Sequence, residues 1–448
     1  MKLVATGAAL LAAMLCGQAL AGEPSAVSAS SASTASSATQ AAKSEVRAWL
    51  EKAEAAAERI EDKKSREWAL EMIACSCLDL LEVDKAKEIV AKLPEQERKG
   101  ILSMIPVPLA KAGRIDEAVR EAEEVNTPMA WSMVAGICSR KDVPRALKLL
   151  EKVPEGGRGW AEGEIVKNQV LQGDLQGAAR TVAKIKDDDT RNSAKAWLEA
   201  GRLFQNLVSP DKFVAAEQID QETREWSFHH IAEMAELKVE AGDLKNAEQI
   251  LSVLKFSHDR SGVHVALAKY YLKQKQTKEY QAAIDEAFKE ASKIGDPEHN
   301  GWGNIQSAGR FLEIANLQVQ AGQFDAAMKS IGLADSNGNA ESKQWQNLGV
   351  KSGGIFNALG GKTALIGLLI EAGKVDEAVK AAKQDDGTIM PKAVPFLVEA
   401  YAAKGNVKEQ AELMKLAKSP EVEYKLCLAA ARGAAKKSGL IPADDSVK

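Results

Sequence analysis

The stretch Ala241-Gly242-Asp243-Leu244-Lys245-Asn246-Ala247 decides the fold, because it is written repeatedly along the chain. Copies stand at 112–118 (Ala-Gly-Arg-Ile-Asp-Glu-Ala), 172–178 (Gln-Gly-Asp-Leu-Gln-Gly-Ala), 321–327 (Ala-Gly-Gln-Phe-Asp-Ala-Ala) and 372–378 (Ala-Gly-Lys-Val-Asp-Glu-Ala). A looser copy, Lys-Gly-Asn-Val-Lys-Glu-Gln, occupies 404–410. Each reads as a joint between two helices. The glycine ends the first helix in the left-handed conformation, which a residue without Cβ adopts freely. The apolar residue two places on plugs the joint, and the alanine five places on lets the second helix approach the first.

The flanks keep the same register. Eight residues before the glycines lie Ile105, Ile165, Met234, Ile314, Leu365 and Leu397; nine after lie Ala122, Val182, Leu251, Ile331, Ala382 and Met414. The template also fits around Leu81 and Lys141 without a glycine, and more weakly around Asn206 and Lys275. A period near 33 residues built of two helices is the signature of an α-solenoid. From Lys43 onward the apolar spacing is helical and no strand-length alternation stands out. The expected fold is all-α, an α-solenoid of about ten stacked antiparallel helix pairs.

Over roughly residues 65–420 the chain resembles the tetratricopeptide repeat family. The Gly-Asp-Leu-x-x-Ala joint, its two apolar flanks and Pro420, placed where such a repeat commonly closes, carry the resemblance. The chain departs from the family seven residues before the glycine, where a small residue is usual and Pro106, Val166, Ala235, Ala315, Ile366 and Val398 stand. The resemblance implies a superhelix whose concave groove, lined by the first helices, binds an extended peptide or a helix.

Outside the repeats the organisation is simpler. Met1-Lys2, the apolar run Leu3 to Gln18 and Ala19-Leu20-Ala21 read as a signal peptide over 1–21, cleaved after Ala21. Leu15 before Cys16 argues against lipidation, where a small residue is the norm. Residues 22–43 hold seven Ser and seven Ala with no aromatic residue, and read as a flexible linker. The repeat array is expected over 44–330, a Gly-rich insertion or hinge over 331–361, further repeats over 362–437 and a frayed tail over 438–448. The expected destination is the periplasm or the extracellular space, with no transmembrane segment after cleavage.

Chemistry is sparse. Among 448 residues, 59 basic side chains face 63 acidic ones, so no basic excess points to nucleic acid. Gly360-Gly361-Lys362-Thr363 ends like a phosphate-binding loop, but Phe356 stands where that motif needs glycine. Four cysteines in the mature chain (Cys75, Cys77, Cys138, Cys427) are too few for a disulfide scaffold. No catalytic residue, cofactor or metal is expected.

One recurrence remains. Arg66, Arg98, Arg158, Arg191, Arg224 and Arg260 stand at the starts of successive first helices, and three carry a tryptophan two residues on: Trp68, Trp160 and Trp226. Stacking aligns equivalent positions into an Arg/Trp ladder. By the family resemblance Trp68 and Trp160 lie near the groove, as does His229 in its repeat. The candidate partner-binding residues are therefore Arg66, Trp68, Arg158, Trp160, Arg224, Trp226 and His229. The competing reading is structural, with the arginines pairing between repeats and the tryptophans filling the space between helices. The functional expectation is an exported scaffold that binds a protein or peptide in its groove. The alternative is a non-catalytic accessory subunit of a cell-envelope enzyme or assembly machine.

Overall fold

The structure is a computed structural model and describes residues 32–208, 221–294, 303–347, 361–384 and 386–441. These residues are all-α apart from one isolated bridge between Lys383 and Ile389. The first half holds α1 (Ala32–Glu58), α2 (Lys63–Asp79), α3 (Val83–Val90), α4 (Glu95–Met104), α5 (Pro106–Lys111), α6 (Ile115–Val125), α7 (Pro128–Cys138), α8 (Val143–Leu150), α9 (Gly159–Leu171), α10 (Leu175–Val182) and α11 (Asp188–Val208). The second half holds α12 (Gln221–Glu240), α13 (Leu244–Leu251), α14 (Ser257–Lys273), α15 (Thr277–Ala291), α16 (Gly303–Gln320), α17 (Phe324–Asn347), α18 (Gly361–Glu371), α19 (Val375–Ala382), α20 (Val394–Lys404), α21 (Val407–Met414) and α22 (Pro420–Lys437).

The joints form as their chemistry dictates. All six glycines sit at φ between +72° and +81°. Leu81 and Lys275 take the same left-handed turn at φ +59° despite their Cβ atoms. Around Lys141 the turn is made differently: the Asp142 carboxylate accepts from the Arg145 N–H at 2.9 Å and caps the start of α8. Asn206 lies inside α11, so there is no joint at that position, and residues 209–220 lie outside the described residues. At the departure marked by Pro106 the first helix breaks into α4 and α5, because proline offers no N–H and crowds the preceding turn.

The template's inward positions are the core. The six apolar residues eight before each glycine are buried, and Ala118, Ala178, Ala247, Ala327 and Ala378 are fully so. The last joint fails in part: Val407 is 70% exposed instead of plugging the turn.

Three boundaries differ from expectation. Helix α1 begins at Ala32, so 32–43 is helix and not linker; no Gly or Pro interrupts Ala32–Glu58, and alanine is the strongest helix former. Helix α17 runs to Asn347, through Gly332 and Gly338, because Ala327, Ile331 and Ala334 continue its buried stripe. That takes 331–347 out of the expected insertion, while 348–360 lie outside the described residues. The tail from Ser438 starts ordered: Leu440 N–H bonds to Ala435 O at 3.0 Å, and Leu440 and Ile441 pack on the core.

First helices contact one another in sequence, from α2 through α4 and α5, α7, α9, α11, α12, α14, α16, α18 and α20 to α22. Helix α22 then touches α2 and packs along α1, so the order of contacts is cyclic. Val46, Leu50, Ala53 and Ala57, on one face of α1, share a core with Tyr424, Cys427 and Leu428 of α22. Arg59 bridges Glu423 at 2.7 Å, while Arg432 meets Ser76 at 3.4 Å, so α22 runs parallel to α2 and antiparallel to α1.

Helix α1 occupies a second-helix place. Elsewhere, Lys87 of α3 bridges Glu121 of α6 at 2.8 Å, and Lys152 after α8 bridges Glu123 of α6 at 2.7 Å. In the same way Glu54 of α1 bridges Lys85 and Lys92, on and after α3, at 2.7 Å each. The closing pair therefore takes its first helix from the C-terminus and its second from the N-terminus. Glu54 is only 8% exposed; burial works against its charge, but the bonds and attraction of Lys85 and Lys92 outweigh it and lower its pKa.

Leu50 and Val407 separate the closed arrangement from the sequence template. Leu50→Ala should lower unfolding free energy by about 2–5 kcal/mol, because it opens a cavity in the closing core. Val407→Ser should change it by no more than about 0.5 kcal/mol. Urea unfolding followed by circular dichroism measures both.

Candidate functional site

The arginines of the ladder share one geometry. Arg66 donates to Ile60 O at 2.8 Å, Arg158 to Val153 O at 2.7 Å and Arg191 to Ile185 O at 3.0 Å. Arg98 reaches Leu93 O and Ala91 O at 3.0 and 3.1 Å, and Arg260 reaches Leu251 O and Leu254 O at 3.4 Å each. Every acceptor lies at or just beyond the C-terminus of the preceding second helix, where carbonyls lack intrahelical partners and the helix dipole is negative. Each arginine thus caps the helix before it, and Arg66 does so for α1. Arg66 and Arg158, expected to clamp a partner, both donate to the chain's own carbonyls. Arg224 and Trp226 lie on α12, but their side chains are outside the described ones.

The tryptophans behave otherwise. Trp68 is 51% exposed, with Lys425 Nζ of α22 5.9 Å from its ring centroid. Met72, one turn on, is also exposed. Trp160 is 37% exposed and lies against α7, where a Cβ on Gly136 would come within 2.3 Å of its ring. Trp68 and Trp160 therefore occupy equivalent rungs: Trp160 leans on α7, and Trp68 has Lys425 of α22 near its ring.

His229 stands at the same rung and carries the most distinctive chemistry. Its Nδ1 lies 2.6 Å from Oδ1 of Asp259, which is 4% exposed, and its ring stacks on Phe256 with centroids 5.4 Å apart. The neighbouring histidine is His258, edge-on at 6.3 Å. Burial, reinforced by the nearby Arg310 charge, pushes His258 down to about 4. Gly262 on α14 leaves room for Glu236 of α12 and Arg310 of α16, since a Cβ there would lie 2.2 Å and 2.9 Å from their polar atoms. Burial raises Glu236 to about 7 against the pull of Arg310. One helix earlier, Lys167 of α9 bridges Glu233 of α12 at 2.9 Å and lies over Trp197 of α11, on which His230 stacks at 4.0 Å.

Side chains from first helices two apart thus meet across the helix between them, which makes this part of the first-helix face narrow and charged. Asp259, Glu236 and Arg310 gave no signal in the sequence. Each is an ordinary polar residue until the stacking register brings α12, α14 and α16 together. Among the described residues no three His, Cys, Asp or Glu side chains converge as metal ligands. The four cysteines among the described residues are thiols, and burial pushes Cys75, Cys77 and Cys427 up to about 11, 12 and 11.

No family model and no curated protein matches the chain. Among solved structures it is similar to a circular tandem repeat protein with novel repeat topology and enhanced subunit contact surfaces. That similarity is 14% in sequence, covers 90% of this chain and 98% of the other, and has a TM-score of 0.20. No helix among the described residues is long and apolar enough to cross a membrane.

Two measurements check the site. Arg98→Ala and Arg158→Ala should each lower stability by about 1–3 kcal/mol, the cost of leaving carbonyls without a charged donor. Glu236 binds its proton more tightly folded than unfolded, so stability should fall as pH rises from 4.5 to about 7 and then level. Glu236→Gln should remove that part of the fall, as read from unfolding midpoints across the same range.

Proposed function

We propose that this protein is an exported tetratricopeptide-like solenoid that docks a protein or peptide on the face formed by its first helices. The observation that carries the reading is the pair Trp68 and Trp160, two large apolar side chains left 51% and 37% exposed on equivalent rungs. Tryptophan offers rigid apolar area with few rotamers to freeze, which is why it is enriched where binding energy concentrates. Between them and His229 the same face carries cations and carboxylates able to hold a peptide backbone or its charged groups. The mutual burial of α1 and α22 favours docking on this face over end-to-end assembly through terminal helices. Export rests on the signal-like segment 1–21, which lies outside the described residues.

The arginines are excluded from the test, since their removal disturbs the helix ends. Trp68→Ala and Trp160→Ala should each weaken capture of a partner from envelope extract by about tenfold or more, with helicity unchanged. Unchanged capture by the double variant would remove the face from consideration. Loss of helicity would return these tryptophans to the core.

A further inference from the structure

Gly262 of α14 opens a path between charges on α12 and α16. A Cβ there would lie 2.2 Å from Oε1 of Glu236 and 2.9 Å from Nη2 of Arg310, so both polar ends crowd one point above the α14 backbone. Glycine weakens the interior of a helix, and here its missing Cβ is what admits the two side chains.

The pair is close but unbonded. Arg310 Nη1 donates to Glu313 Oε2 of its own helix at 2.5 Å, while its Nε is buried without a partner among the described residues. Among those residues no ion pair includes Glu236. The charges acting on it are Arg310 and Glu313 of α16 and Glu233 and Glu240 of its own helix. On α14, one turn before Gly262, stand His258, which burial pushes down to about 4, and Asp259, whose Oδ1 lies 2.6 Å from His229 Nδ1. Val265 and Ala266 stand one turn after it. Helix α11 meets α12 through Trp197, stacked on His230, and α13 packs into the same core through Ala247 and Ile250. Three carboxylates thus oppose a negative charge on Glu236, and one guanidinium favours it.

We propose that Glu236 and Arg310 form a proton-operated tie: when Glu236 loses its proton to solvent, its carboxylate takes Nη2 of Arg310 over Gly262 and links α12 to α16 across α14. Nη1 stays on Glu313, because a guanidinium carries five N–H donors in a fixed fork and holds two carboxylates at once. While Glu236 is protonated, Glu313 alone holds Arg310. Burial raises Glu236 to about 7, so the tie closes near neutral pH and not at the 4.5 of an ordinary glutamate. The bond offsets part of the cost of ionising a buried carboxylate. The tie spans part of the first-helix face but does not rest on the docking of a partner there.

Crystal structures of the full chain at about pH 5 and about pH 8.5 test the tie without any substitution. Arg310 Nη2 should stand apart from Glu236 at the lower pH and lie at the about 2.7–2.9 Å of a charge-assisted bond at the higher one. In solution, a double-mutant cycle of Glu236→Gln with Arg310→Lys, read from urea unfolding, gives the coupling between the two positions; lysine keeps the charge but not the fork. That coupling should change the unfolding constant by about tenfold at about pH 8.5 and by no more than about twofold at about pH 5. Side chains standing apart at both pH values, or a coupling that does not change with pH, would overturn the proposal.

Discussion

The seating of α1 against α22 is the contact on which the rest of the arrangement depends. A row of helix pairs leaves two ends, each with an apolar face that must be covered. Here each end covers the other. Among the described residues no second helix follows α22 and no first helix precedes α1. Leu50 and its neighbours meet Tyr424 and Leu428 across the gap. Gly433 lets α22 come close to α20, since a Cβ there would lie 2.3 Å from Glu399 O. Closure also gives Trp68 its neighbour, since Lys425 of α22 lies 5.9 Å from its ring centroid.

The seating of α1 is not purely apolar on its other side, against α3. Glu54 and Lys85 are almost fully buried between α1 and α3, and Lys92 adds a second cation. A buried ion pair contributes little net stability against a well-packed apolar alternative, but a misregistered one leaves charges unpaired at a cost of several kcal/mol, of the order of 3–5. The pair therefore acts on register: α1 fits at one axial position. Arg66 reaching back to Ile60 O fixes the hinge between α1 and α2 in the way the other ladder arginines fix their own helix ends.

Much of this was legible in the sequence, and the reasons are local. A left-handed glycine, an alanine at a close approach and an apolar residue eight before the joint act within one helix pair, so a linear text carries them. Even Leu81 and Lys275, which lack the glycine, were identified by their flanks and take the same turn. The failures are of two kinds. Composition misled where helix propensity and a continued buried stripe outweighed it, as at Ala32–Lys43 and Gly332. Long-range packing was invisible: nothing in residues 46–57 announces residues 424–428, and nothing in Phe256–Asp259 announces His229. The arginine ladder was seen as a pattern, but its target, the chain's own carbonyls, needed the helix ends in place.

Spin labels at Arg59 and Glu423, on opposite termini of the sequence and bridged at 2.7 Å in the fold, test the closure directly. Pulsed dipolar spectroscopy on the doubly labelled full chain should give a single short, narrow distance distribution. A long and broad distribution would mean that the helix row is open, and the closing pair would not exist.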